Sequence, residues 1–170
     1  MRFEIQNNQL SRFLRTNYAL MIGLLGFMSL FLPISIMLAE DARVSTIWTV
    51  VAIFATVLIL GYALMAWMVR AFTQSLSYEA KNGILYINEG FVVYRRKSIP
   101  LDRVTDFRLV QGLLMRTFGI WKIEVQTAGA NGAGGAEGVL WAVQGPLATR
   151  DTLLQLRDAA VKAQRVDAAA

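Results

Sequence analysis

The sequence predicts a membrane α-helical hairpin followed by a small, mainly-β domain of about seven antiparallel strands, closed by one C-terminal helix. Three observations carry that prediction. Two long blocks, "YALMIGLLGFMSLFLPISIML" (18–38) and "IWTVVAIFATVLILGYALMAWMV" (47–69), contain no Asp, Glu, Lys or Arg. From residue 71 onward the hydrophobic period changes from helical to two, which is the pattern of half-buried strands. From Leu147 to about Arg165 a single apolar stripe at helical spacing returns.

The chain of 170 residues is 55% hydrophobic, above the roughly 45–50% of soluble domains, and the excess sits in those two blocks. About 20 apolar helical residues cross a hydrocarbon layer of about 30 Å, so each block is long enough to span one. A cleaved signal peptide fits the first block poorly. Its apolar run exceeds the usual core of about 7–15 residues, and no small-x-small site follows Leu38. The connecting segment "AEDARVST" is eight residues, so the helices are expected to run antiparallel side by side. Arg2, Arg12 and Arg15 precede the hairpin, and Arg70 and Lys81 follow it. The connection has only Arg43, beside Glu40 and Asp41, so both termini are expected on the cytosolic side.

Residues 1–17 form a preamble in which Phe3, Leu10, Phe13 and Leu14 share an apolar face. It reads either as an interfacial helix or as a continuation of the first span. Within the spans, Pro33 is expected to kink the first helix by removing the bond to the Ser29 carbonyl. Gly23, Gly26 and Ser29 form one small-residue ridge, and Ala52 and Thr56 another, suited to close helix packing. Trp48 and Trp67 stand near the ends of the second block as interfacial anchors. With no Asp, Glu, Lys or Arg inside either block, the hairpin reads as an anchor rather than an ion path.

In the domain spanning 71–165, "SLSYEAK" alternates with Leu76, Tyr78 and Ala80 on one face, and "KNG" supplies a tight turn. "ILYINEG" and "FVVYRRKS" read as the next two strands. In "RVTDFRLV", Thr105, Phe107 and Leu109 share one side, against Asp106 and Arg108. "QGLLMRTFG" breaks the alternation as one or two helical turns ending at Gly119. "IWKIEVQT" places Trp121, Ile123 and Val125 on one face, and "VLWAV" aligns Val139, Trp141 and Val143; both tryptophans are expected in the core. The intervening "AGANGAGGAEG" lacks the Gly-Lys-Ser/Thr ending of a phosphate loop and reads as a glycine-rich linker. In the final helix Leu153, Leu156 and Ala160 line one face, and residues 166–170 fray. A twisted sheet this small must fold over to hide its apolar face, and a helix with one apolar stripe can plug the open end.

The chain has no cysteine and no histidine, which excludes thiolate, disulfide and imidazole chemistry. The acids Asp102 and Asp106 each have an arginine in the same short stretch, so no catalytic constellation, metal site or cofactor is expected. A net charge of +5 suits a protein held beside an anionic leaflet, and the apolar blocks argue against nucleic acid.

The stretch "RRKSIPLDRVTDFRLVQGLLMRTFGIWKIEVQTAG" resembles the signature of the bacterial pleckstrin-homology-like, membrane-flanked domain family. The shared pattern is a basic strand end, "IPL-R", a hydrophobic strand, a short helix ending "FG" and a strand ending "T-AG". Pro100, Leu101, Arg103 and Gly119 occupy its fold-marking positions. The preceding "YEAKNGILYINEGFVVYRRK" is similar to the family's opening hairpin, and the likeness runs from about Tyr78 to Ala159. The resemblance implies a bent seven-strand barrel capped by a C-terminal helix, in a non-enzymatic protein of the bacterial plasma membrane. It also implies a longer relative of the same family as one kind of partner. The turn "KNG" departs from phosphoinositide-binding pleckstrin-homology domains, which gather several basic residues there, whereas only Lys81 is present.

Two groups of residues are candidates for contact. Leu113, Leu114 and Met115 exceed what a small core buries and are expected to meet a protein partner, a second copy or a larger relative. Arg95, Arg96 and Lys97, with Lys81, are expected to meet anionic lipid headgroups if they stand on a barrel rim facing the bilayer. Against the second reading, consecutive strand residues alternate faces, and mixed charges beside Pro100 suit an ordinary solvated strand and corner. The sequence therefore predicts a membrane-anchored, non-catalytic binding and assembly module, with headgroup sensing as the alternative.

Overall fold

The computed structural model describes residues 1–29, 31, 44–128 and 136–167. The expected kink at Pro33, most of the connection between the apolar blocks and most of the glycine-rich linker lie outside them. The chain divides into two compact units, one formed by Met1–Phe13 with Ala71–Ala170 and the other by Leu14–Arg70.

The second unit holds most of two helices, α1 (Asn7–Ser29) and α2 (Val44–Ser75). Of the glycines in the expected small-residue ridge, only Gly26 stands close to α2. A Cβ added at Gly26 would stand 3.3 Å from Leu58 Cδ1, whereas Gly23 has open space around it. Among the described residues one helix is long and apolar enough to cross a membrane, Trp48–Ser75. Its apolar side chains, including Trp48, Ile53, Ile59, Leu60 and Trp67, are exposed in the protein alone, as a lipid-facing helix requires and a soluble core helix does not.

The first unit is a body of two antiparallel sheets. In the first, β1 (Arg2–Phe3), β2 (Ser77–Lys81), β3 (Ile84–Glu89) and β4 (Arg95–Pro100) lie in sequence order. The β2–β3 hairpin turns through Asn82 and Gly83, both at positive φ, as the Asn-Gly pair predicts. Pro100 then leads into a 3₁₀ turn, Leu101–Arg103, and the chain enters the second sheet: β5 (Val104–Val110), β6 (Lys122–Thr127) and β7 (Gly138–Trp141). Between β5 and β6 stands the short helix α3 (Leu113–Thr117), followed by Gly119 at φ 62. The C-terminal helix is α4 (Pro146–Asp167).

The core lies between the two sheets. Tyr78, Leu85, Ile87 and Ile99 from the first meet Phe107, Ile123, Val125 and Leu140 from the second, with Leu101, Ile120 and Leu153 closing it. Tyr78 ties the sheets together, because its hydroxyl accepts the Trp141 backbone N–H at 3.0 Å. Burial pushes its phenol pKa well above the ordinary tyrosine range, and nearby Glu89 adds to the rise, while the Trp141 bond acts in the opposite sense.

Several strand faces differ from the simple alternation. A bulge between Val104 and Asp106 resets β5, so Val104 and Phe107 are both buried while Thr105 is exposed. In β7 the buried residues are Gly138 and Leu140, not Val139 and Trp141. Trp121 and Trp141 are only half-buried, and Trp141 receives the Lys122 ammonium 5.8 Å from its ring centre.

In the preamble, residues 7–17 continue the helix of the first apolar block, as one of the two readings expects, but the segment before them joins the sheet. Residues 2–3 pair with β2 through Arg2–Glu79 and Phe3–Tyr78, and Ile5 bridges to Val143. Phe3 and Leu10 are buried, and Phe13 meets Phe118 edge-on at 6.0 Å. The apolar face of this segment is satisfied by the sheet core, so it has no need of an interface. Helix α2 likewise continues through Ser75, beyond the end expected at residue 70, because no glycine or proline interrupts "AFTQS". The segment Phe91–Tyr94 is not strand; pairing stops at Glu89 and resumes at Arg95.

Candidate functional site

The basic residues of β4 divide between two faces. Arg95 and Lys97 share the side of the buried Ile99, at the sheet's end, whereas Arg96 lies on the outer face. Lys97 is held by Glu89 at 2.9 Å, and Arg96 stands over the Tyr86 ring at 5.2 Å. Lys81 pairs in register with Ile84 at the opposite end of the sheet from Glu89 and Arg95. Ile84 and Asn88, the partner of Arg96, are four positions apart, which is about 13 Å along the strand. Lys81 therefore does not join the β4 group, and Lys97 is already paired.

The apolar candidate also divides. Gly112 opens α3 with its N–H directed at the Met115 sulfur at 3.5 Å, and Met115 is buried at 6% exposure. Met115 thus belongs to the core, a correction that follows from helical geometry: at about 100° per residue, three consecutive residues cannot all share one face. Leu113 is left outward at 82% exposure, with Leu114 partly exposed beside it. The adjoining Phe118 rests on Phe13, so this patch lies next to the first turns of α1.

The edge of β5 is not available for another strand along its middle. Arg150 donates through Nε to the Phe107 carbonyl at 3.0 Å, and Arg157 donates through Nη1 to the Thr105 carbonyl at 3.2 Å. Helix α4 therefore serves as lid and edge cover together. Among the described residues no cluster of three or more acids could hold a metal ion.

The markers of the sequence signature occupy structural positions. Pro100 is the last residue of β4 and leads into the corner, Leu101 is buried beneath it, and Gly119 provides the left-handed turn after α3. Arg103 is exposed at the end of the corner. The sequence profile of the bacterial PH domain matches residues 19–161, most of the chain. The chain belongs to the bacterial PH domain family. No curated protein and no solved structure matches it. The two antiparallel sheets and C-terminal helix of this bacterial PH domain agree with the architecture its signature implies.

In this bacterial PH domain protein, sequence reasoning passed over one surface. Phe91, Val92, Val93 and Tyr94 form the β3–β4 loop and are all exposed. Their β-branched and aromatic composition reads as strand, yet four large apolar residues without a polar alternate do not fit a half-buried strand either. That missing alternation was the available signal.

Proposed function

We propose that this bacterial PH domain protein is a membrane-anchored, non-catalytic binding and assembly module. In this reading α1 and α2 form a two-span hairpin in the bacterial plasma membrane, and both termini and the sheet body lie on the cytosolic side. The arginines flanking the hairpin support that orientation. The body binds a second copy or a larger relative through Leu113 and Leu114. The observation that carries this is Leu113 itself, 82% exposed on a short helix whose neighbour Met115 is locked in the core. A rigidly presented, solvent-exposed leucine beside α1 suits a partner that is also held at the membrane.

Leu113→Ser with Leu114→Ser is expected to leave the melting point of the body within a few degrees of the parent. The same variant should shift the detergent- or nanodisc-purified protein to a smaller species on native separation. Unchanged size, with the parent itself a single small species, would refute the contact.

A second reading rests on Arg95 and Arg96, both exposed at one end of the first sheet. Each basic residue near an anionic surface gains about 1 kcal/mol. With Lys97 engaged by Glu89, the group contributes about 2 kcal/mol, too little to recruit a protein but enough to orient one already anchored. Replacing Arg95, Arg96 and Lys97 with glutamine is expected to change the tilt of the body over phosphatidylglycerol nanodiscs at low salt, and to have no effect at high salt, where such attraction is screened. A salt-independent tilt shared by parent and variant would eliminate it.

A further inference from the structure

The β3–β4 loop breaks the usual rule for connections in a small sheet. Its tip is Phe91-Val92-Val93-Tyr94, with Val92 at 77%, Val93 at 62% and Tyr94 at 65% exposure. A polar loop would cost nothing in water, whereas this one holds contiguous apolar surface in solvent. The backbone projects it outward. Gly90 sits at φ 106, and a Cβ there would run into the Val93 carbonyl oxygen, so the chain doubles back tightly before the tip. Immediately after the tip come Arg95 and Arg96, both exposed. An apolar tip with a cationic stem is the composition of interfacial anchors, which bury aromatic and aliphatic groups at the headgroup boundary while lysine or arginine meets lipid phosphates.

The register states where this loop lies. Ser77 pairs with Asn88, and Glu89 pairs with Arg95, so the loop emerges at the end of the sheet where β2 begins. Helix α2, which contains the apolar Trp48–Ser75 segment, ends at Ser75, two residues before Ser77. The point where the chain leaves that helix and the apolar tip therefore share one end of the body. Strands are about 4.8 Å apart, so the β3 end of the loop lies about one strand spacing from that exit point.

We propose that the Phe91–Tyr94 loop inserts into the interfacial layer of an anionic bilayer, with Arg95 and Arg96 on the lipid phosphates. This goes beyond the binding reading above, because it assigns a lipid contact to an apolar loop rather than to a basic strand. It uses only the anchoring part of that reading. The loop gives the body a second attachment, fixing which of its faces turns to the cytosol.

The absence of cysteine makes a direct test practicable. Single variants Val92→Cys, Leu60→Cys and Lys162→Cys of the full chain, each labelled with an environment-sensitive fluorophore, are reconstituted in nanodiscs of phosphatidylglycerol and phosphatidylcholine. The Val92 probe is expected to shift to the blue, to be quenched by nitroxide on the lipid chains and to be shielded from aqueous iodide. The Lys162 probe on α4 is expected to respond in the opposite way, and the Leu60 probe reports the anchor. Adding Arg95→Gln and Arg96→Gln, or using phosphatidylcholine alone, should weaken lipid quenching at Val92 and leave it unchanged at Leu60. A Val92 probe as open to iodide as the Lys162 probe overturns the proposal. So does one shielded from both quenchers, which would place the loop against protein. Loss of lipid quenching at Leu60 would instead remove the anchor, a failure distinct from that of the loop.

Discussion

Phe107→Ala is expected to cost about 3–5 kcal/mol, the range for truncating a large buried aromatic side chain. Phe107 is 1% exposed at the centre of β5, paired in register with Val125 between the two sheets. Its position is also set from outside, because its carbonyl accepts the Arg150 guanidinium. The surrounding strands are tied on both sides and cannot close over the lost volume, so the cavity term adds to the transfer term. For a body of about 100 residues this corresponds to a melting point lower by about 15–30 °C. Phe107→Leu, which retains most of the volume, should lose about 1–2 kcal/mol. Thermal unfolding followed by the near-ultraviolet circular dichroism of the nanodisc-held protein reads both. A shift of only a few degrees for the alanine variant would mean that the core does not lie between the sheets as described.

Tyr78→Phe is expected to lower stability by about 1–2 kcal/mol at neutral pH, because the Trp141 N–H loses its acceptor in a part-buried position. The ring keeps its packing, so the loss isolates the hydrogen bond that joins the sheets. The same residue predicts an alkaline dependence. Its folded pKa is raised above the ordinary value of 10.0, chiefly by burial. Below pH 10 both the folded and the unfolded chain hold the phenolic proton, and the contribution of Tyr78 is complete. Above pH 10 the unfolded chain releases it while the folded one retains it, so stability falls by up to about 1.4 kcal/mol per pH unit. The phenylalanine variant lacks this term. Chemical unfolding of the two proteins from pH 8 to 11.5 should show the parent's advantage shrinking above pH 10, and parallel curves would contradict the buried, neutral tyrosine.

Much of the body was legible because its signals are local. The Asn82-Gly83 pair forms a turn wherever it stands between two strands, and Gly119 ends a short helix for the same conformational reason. The apolar run behind Trp48–Ser75 is legible because hydration alone makes so many exposed side chains untenable in water. Face assignments were less secure. One bulge at Thr105 moved Phe107 and Val104 to the same side, and no composition rule marks where an extra residue enters a ladder. The candidate contacts were legible as a list of residues and not as surfaces. Met115 and Leu113 are both good apolar residues, and only the turn of α3 puts one at 6% and the other at 82% exposure.

The sequence by itself determined the long apolar helical segment, the change of period at the start of the domain, the strand-rich body with its helical lid and the family signature around Pro100 and Gly119. Each of these depends on neighbours a few residues apart in the chain, which sequence displays directly. Only the tertiary structure decided that Phe3 and Leu10 complete the core, that Arg150 and Arg157 cover the edge of β5, and that Phe91–Tyr94 emerges beside the end of α2. Those outcomes join residues far apart in sequence. They follow from which apolar surfaces and backbone carbonyls remain unsatisfied once the sheets have formed, a quantity that exists only in three dimensions.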